Sequence, residues 1–247
     1  MIAYILLGAV QGLTEFFPVS SSGHLAILQK LMGMTEGALA VSVVLHLGTV
    51  CSLLVFLFKD IVALFKNARE LIFVLLVTII TGIIAIAGKH FFESLFVSSF
   101  AIGIGWLITA GVLFFTRTYT EGKRVAPGVK DALILGLTQG CAIAPGVSRA
   151  GMTLSTMLFR KMDSAAAFRL SFLVAIPAVL GAALLEVKDI DFAMQAHMAG
   201  IIAGFLASFL TGIFALWCMR KVMLRAKLHY FAYYCMIIGV LTLIFIR

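Results

Sequence analysis

Six times between Ala40 and Ile246 the chain runs through an apolar stretch of the length that crosses a hydrocarbon core, which takes about 20 residues. The stretches lie near Ala40 to Phe58, Leu71 to Gly88, Ser98 to Phe115, Asp163 to Leu185, Ala196 to Trp217 and Tyr230 to Ile246. A helix closes its backbone hydrogen bonds within the segment, so runs of this kind predict an all-α integral membrane protein. Of the 247 residues 62% are hydrophobic and 12% charged, more apolar surface than a soluble core can hide. With nothing resembling a linker, 1–247 reads as one membrane domain. Met1 to Phe17 lacks a basic start and a small-residue cleavage site, and is expected to belong to the mature structure.

Two further apolar stretches, Ile2 to Leu31 and Ala132 to Phe159, are cut in the middle by FPVSSSGH and APGVSRAG. Pro, Gly and Ser stop a helix there and leave backbone groups in need of partners. Irregular backbone at membrane depth survives only where protein or a watery cavity surrounds it, so each stretch is expected to be a re-entrant helix-loop-helix hairpin.

The two cut stretches match each other. At a constant offset of 128, Leu7, Gly8, Gln11, Gly12, Val19, Ser20 and Gly23 meet Leu135, Gly136, Gln139, Gly140, Val147, Ser148 and Gly151. Seven identities in nineteen positions indicate an internal duplication, with 1–115 as one repeat and 129–247 as the other.

Short loops rich in Lys and Arg stay in the cytoplasm. That rule places Lys59, Lys66 and Arg69, then Arg117, Lys123, Arg124 and Lys130, then Arg160 and Lys161, then Arg220, Lys221, Arg225 and Lys227 on the inner side. Lys89 and the loop with Glu186, Lys188, Asp189 and Asp191 fall outside. The first hairpin then enters from outside and the second from inside, an inverted-topology repeat of six transmembrane helices plus two re-entrant hairpins whose interruptions meet near the midplane. The net charge of +8 is thus a signature of orientation rather than of nucleic-acid binding. Cys51, Cys141, Cys218 and Cys235 show no metal-like spacing and read as packing residues.

The meeting point gathers ionisable groups where they are expensive, which makes function the default reading. Gln11 and Glu15, four apart, share a helix face; Ser20, Ser21, Ser22, Gly23 and His24 follow, and the second copy adds Gly146, Ser148, Arg149 and Thr153. The guanidinium of Arg149 and the Ser-Gly turns beside helix starts suit phosphate oxygens. Ser21 is a candidate nucleophile, His24 a candidate base or acid, and Glu15 a candidate metal ligand or proton acceptor.

QGLTEFFPVSSSGH and PGVSRAGMT resemble the two signature motifs of the undecaprenyl-diphosphate phosphatases of the bacitracin-resistance type, along nearly the whole chain. The resemblance implies hydrolysis of undecaprenyl diphosphate to undecaprenyl phosphate and inorganic phosphate, recycling a lipid carrier for envelope synthesis. By that likeness Gln11 and Glu15 match the family's acidic or amide pair, and Glu15, Ser21, His24 and Arg149 are catalytic; from their place at the junction Gln11, Ser20, Ser22, Gly23, Gly146, Ser148 and Thr153 are expected to bind substrate. A divalent cation, Mg2+ or Ca2+, would assist at Glu15 and Gln11, in a multi-pass protein of the plasma membrane whose site opens to the outer face. Where many members carry an acid this chain has Gln11, so the cation has one carboxylate fewer; Ala150 stands where Ser is usual.

Structural readings stand beside these. The serines can cap a helix, Gln11 can join helices, Glu15 and Arg149 can form a structural ion pair, and His24 can be a satisfied buried histidine. His46 reads as structural, and His90, His197 and His229 as solvated near span ends. Trp217, Tyr230, Tyr233 and Tyr234 read as interfacial anchors, and Arg169 as a side chain snorkelling to the surface. The alternative function is a transporter, or flippase, of a lipid phosphate or organic anion on the same inverted-repeat plan. The oligomeric state, a homodimer included, is left open.

Overall fold

A computed structural model describes residues 1–34, 37–118, 122–186, 198–225 and 227–246. It contains α1 (Ile2–Phe16), α2 (Ser21–Leu31), α3 (Ala38–Phe56), α4 (Phe58–Leu64), α5 (Ala68–Ala87), α6 (Lys89–Phe96) and α7 (Ser99–Phe115). After residue 121 follow α8 (Val129–Cys141), α9 (Arg149–Phe159), α10 (Ser164–Leu173), α11 (Ala175–Glu186), α12 (Met198–Leu224) and α13 (Tyr230–Phe245). The strand-free pattern holds among the described residues, apart from one isolated bridge between Arg124 and Met162. Among the described residues, five helical segments are long and apolar enough to cross a membrane, as a multi-pass membrane protein requires. Their outward side chains, among them Ile79, Ile83, Leu210 and Phe214, are more than half exposed.

Boundaries follow local chemistry. Pro18 pushes Phe17 into extended backbone, with φ −71° and ψ 145°, and α1 stops there. Pro177 has no N–H for the carbonyl of Leu173, and the span Ser164–Leu184 divides there into α10 and α11. The expected sixth span is α13, whose 16 residues rise about 24 Å, short of a full hydrocarbon core. Two expectations shift. A short helix, α6, with no buried residue stands where a loop was expected, and α12 runs beyond Trp217 to Leu224, carrying Arg220 and Lys221 on its last turns. Lys188, Asp189, Asp191 and His197 lie outside the described residues, as does the side chain of Glu186.

The closest helix crossings are made by small residues. Along α1, a methyl group on Gly8 would stand 2.1 Å from the Gly204 carbonyl oxygen, and one on Gly12 2.0 Å from Thr211 Oγ1 and 2.4 Å from the Ser208 carbonyl oxygen. Backbones this close are how helices associate when lipid removes the hydrophobic drive. On α8, Gly136 and Gly140 instead make room for the side chains of Ile80 and Ile84 of α5, whose nearest carbons would stand 2.7 and 2.4 Å from an added methyl. The packing is reciprocal: α1 lies on α12 and α8 on α5, α3 meets both α12 and α11, α11 meets α5, and α7 pairs with α13.

Arg169 does not snorkel. Its guanidinium makes a two-pronged pair with Glu70, at 2.7 and 2.5 Å, because the α5 carboxylate stands opposite it within reach of both nitrogens. At the start of α8 the Asp131 carboxylate, 2% exposed, accepts from Gly128 N–H at 2.8 Å, Arg160 Nε at 2.7 Å and Arg124 Nη2. Burial opposes its charge, but the hydrogen bonds from Arg160, Gly128 and Arg124 outweigh burial and hold its pKa below the ordinary carboxylate value.

Candidate active site where the two turns meet

Each interruption ends in a serine cap. Ser20 Oγ accepts from Gly23 N–H at 3.3 Å and Ser148 Oγ from Gly151 N–H at 3.0 Å, so α2 and α9 each begin at the residue after a serine. The turns touch: a methyl on Gly23 would lie 2.9 Å from Trp106 and 3.2 Å from Gly146 Cα, and one on Gly151 3.4 Å from Pro18. Gly146, with φ +83°, also stands 2.1 Å, measured to such a methyl, from the Ile102 carbonyl oxygen, where only glycine fits.

Both turns hang on α7. Trp106 Nε1 donates to the Val19 carbonyl at 2.7 Å, fixing the first turn. Thr109 Oγ1 lies 3.0 Å from the Gly146 carbonyl oxygen and accepts from Ser148 N–H at 2.9 Å, fixing the second.

Glu15, in the last turn of α1, is the centre of the cluster. One carboxylate oxygen accepts from Arg149 Nη2 at 2.5 Å. The other accepts from Ser21 Oγ at 2.5 Å and from Gln11 Nε2 at 3.1 Å. Ser21 and Arg149 are the first helical residues of α2 and α9 and stand 128 positions apart, so the two turns deliver one side chain each to the same carboxylate. Arg149 Nη1 and Gln11 Oε1 are buried without a hydrogen-bond partner. Such groups are costly unless a ligand satisfies them.

His24 stands apart from Ser21. Its Nδ1 lies 2.7 Å from the Ser20 carbonyl oxygen, which can only accept, so Nδ1 carries the hydrogen and Nε2 receives the Tyr234 hydroxyl at 2.7 Å. Ser20 has φ +66°, a strained value for a serine, and the histidine buttresses that carbonyl while Trp106 packs edge-on against its ring. Ser22 Oγ lies 3.2 Å from Ser20 Oγ. Thr153 is fully buried and its hydroxyl donates to the Arg149 carbonyl at 3.0 Å, within its own helix.

Two site residues escaped the sequence reading. His46, expected to be structural, brings Nε2 to 3.6 Å from Glu15 Oε2. Tyr234, expected to be an interfacial anchor, reaches His24; the only sequence signal was an aromatic in the last span, which anchors share. His229 is not simply solvated either, since its Nδ1 is buried and its ring packs 4.5 Å from that of Tyr230. His90 is solvent-exposed beside Glu93.

Among the described residues no three His, Cys, Asp or Glu side chains gather around one point. Glu15 and Gln11 carry oxygen donors of the type that Mg2+ and Ca2+ take, and Gln11 Oε1 is buried without a hydrogen-bond partner, while the Gln11 amide nitrogen is the atom turned to the carboxylate.

The family described as Bacitracin resistance protein BacA matches residues 4–241. An undecaprenyl-diphosphatase of Carboxydothermus hydrogenoformans is 40% identical over 249 residues, covering 97% of this chain and 95% of the relative. One of Bacteroides thetaiotaomicron is 40% identical over 255 residues, covering 97% of both chains, and one of Methanosphaera stadtmanae is 37% identical over 270 residues, covering 99% and 97%. With a match of that extent on a helical scaffold carrying both turns, the chain belongs to the BacA family.

Proposed function

We propose that the protein hydrolyses undecaprenyl diphosphate to undecaprenyl phosphate and inorganic phosphate. The observation that carries this reading is the convergence of Ser21, Glu15 and Arg149 at the junction of two helix starts. Near-full-length relatives named undecaprenyl-diphosphatase support it.

The diphosphate enters as an anion. The first-turn N–H groups of α2 and α9 have no intrahelical acceptor and, with the positive ends of both helices, face the junction. Arg149 Nη1 is a donor without a partner, ready for a phosphate oxygen. Glu15 takes the proton of Ser21, and Ser21 Oγ attacks the terminal phosphorus. The bridging P–O bond breaks and the lipid monophosphate leaves as an anion, which needs no proton because the second pKa of a phosphate is about 6. Water then attacks the phosphoserine, Glu15 returns the proton to Ser21 Oγ, and dihydrogen phosphate departs. His24 holds the Ser20 turn that presents Ser21. A divalent cation, Mg2+ or Ca2+, held by Glu15 and Gln11 would supply charge neutralisation at the diphosphate.

In the membrane, α3 with α4, α5, α7, α10 with α11, α12 and α13 are the six spans, and α1–α2 and α8–α9 the two re-entrant hairpins of an inverted repeat, 1–115 and 129–247. The reciprocal packing of α1 on α12 and α8 on α5 supports this, since α12 lies 128 residues beyond α5. The Lys and Arg bias of the loops supports an orientation in the plasma membrane in which the first hairpin, and its site, open to the outer face.

The test is phosphate release from undecaprenyl diphosphate by the purified protein, with Ser21→Ala, Glu15→Gln and Arg149→Ala alongside. Loss of release in all three, with folding intact, is the expected result; undiminished release from Glu15→Gln would overturn the assignment.

A further inference from the structure

The connection between α12 and α13 gathers positive charge around a hollow. Lys221, Arg225 and Lys227 line a cavity of about 320 Å³ together with Val222, Tyr230 and Phe231. Ligand-sized cavities begin near about 300 Å³. In the other basic loops Arg124 and Arg160 pair with Asp131, and Arg69 donates to the Pro127 carbonyl. Here no carboxylate among the described residues forms an ion pair with any of the three cations, and the sequence after Asp191 holds no Asp or Glu. The two ammonium groups rest on aromatic faces instead: Lys221 Nζ lies 3.3 Å from the centre of the Trp217 ring, and Lys227 Nζ 5.8 Å from that of Tyr230. An aromatic face holds a cation in place but leaves its charge uncancelled. Three like charges around one hollow repel each other until an anion sits among them.

We propose that this hollow binds an anionic phospholipid of the leaflet it faces, with the phosphate held among Lys221, Arg225 and Lys227 and the acyl chains lying along α12 and α13. A lipid, rather than a free phosphate, fits both parts of the lining, because Val222, Tyr230 and Phe231 give the hollow an apolar side. That side continues along the helices. Trp217 and Phe214 precede Lys221 by one and two turns on the same face of α12, Tyr233 and Ile237 follow Tyr230 along α13, and all four are exposed. Basic pockets between membrane helices take phospholipid headgroups in this way, and each Lys or Arg near the surface adds to the attraction. The inference needs the chain to cross a membrane and is independent of the hydrolytic reading.

Trp217 is the reporter for the test, since it is half exposed beside Lys221 whereas Trp106, the other tryptophan, is fully buried. The full-length protein is reconstituted in phosphatidylcholine vesicles containing either phosphatidylglycerol or further phosphatidylcholine with brominated chains, and tryptophan quenching gives the relative affinity for the two lipids. The wild type is expected to prefer phosphatidylglycerol by at least about tenfold, and the triple variant Lys221→Gln, Arg225→Gln, Lys227→Gln by less than about twofold. Lys221→Arg with Lys227→Arg keeps the preference, and so does Lys59→Gln with Lys66→Gln, which removes charge from another basic loop. Arg225→Gln alone is expected to lower the preference about threefold, and decides the matter should the triple variant fail to fold. Equal quenching by the two lipids in the wild type, a preference that survives the triple variant, or an equal loss in the Lys59 and Lys66 variant would each overturn the assignment. Displacement of the brominated lipid by inorganic phosphate, but not by sodium chloride of the same ionic strength, would overturn it too and give the hollow to a free anion.

Discussion

Gly12→Ala places a methyl group against α12 at a point where nothing can yield. The new carbon would stand 2.4 Å from the Ser208 carbonyl oxygen, whereas ordinary contact begins near 3.4 Å. Thr211 Oγ1, at 2.0 Å, can rotate away, but the Ser208 carbonyl belongs to a helix backbone. Helix α1 must therefore move out by about 1 Å, and Gly8, jammed against the Gly204 carbonyl one turn away, prevents it from rolling instead. Glu15 lies three residues further along the same helix, about 4.5 Å up its axis, and moves with it. The 2.5 Å bonds to Ser21 and Arg149 then stretch towards 3.5 Å, out of hydrogen-bond range. A displacement of that size costs about 100-fold in rate, and overpacking costs about 1–3 kcal/mol of stability. The assay is phosphate-release kinetics together with thermal unfolding in detergent, with Gly82→Ala and Gly111→Ala as controls. Both control sites have open space around the added carbon, and alanine favours a helix over glycine by about 1 kcal/mol. Full activity and an unshifted Tm in Gly12→Ala, or an equal loss in the controls, would refute the reasoning.

Two further outcomes follow from the hydrogen bonds. The folded pKa of Asp131 lies below its unfolded value, so its contribution to stability is present above the ordinary carboxylate pKa of about 3.9 and is lost as pH falls through the folded value. Asp131→Asn is expected to lower stability by about 1–3 kcal/mol at pH 7 and to flatten the acid limb of a Tm-versus-pH curve; an unchanged acid limb would show that Asp131 carries no such linkage. Tyr234→Phe removes the hydroxyl from His24 Nε2, and is expected to cost about 1 kcal/mol in thermal stability and to lower kcat modestly by loosening the Ser20 turn. A variant as stable and active as the parent would remove Tyr234 from the site.

Much of this arrangement was legible before any coordinates because the signals were local. Pro18 ends α1, and serine begins α2 and α9. The duplication made one further inference available, that the two turns should meet, and Gly23 does lie against Gly146. What sequence could not supply is long-range direction. His24 looked like the partner of Ser21 because it follows three residues later, but its ring turns to Ser20 and Tyr234, and Glu15 receives the hydroxyl instead. His46 and Arg169 sit inside apolar helices, where only the carboxylate across the gap distinguishes a partner of Glu15 or Glu70 from a buried or snorkelling side chain. The break at Val174 follows from Pro177 in hindsight, yet a proline inside an apolar span is compatible with an unbroken one.

Two turns lend one side chain each to Glu15, but the loan is not returned. At 128 residues beyond Glu15 the chain carries Ile143, and at 128 beyond His24 it carries Met152. The junction is thus built from two turns while the base is single, a left hand and a right hand of which only one holds the tool. One consequence is an asymmetry of approach: the second turn offers an arginine and a capped helix but no base, so the carboxylate that receives the Ser21 proton comes from the first turn alone.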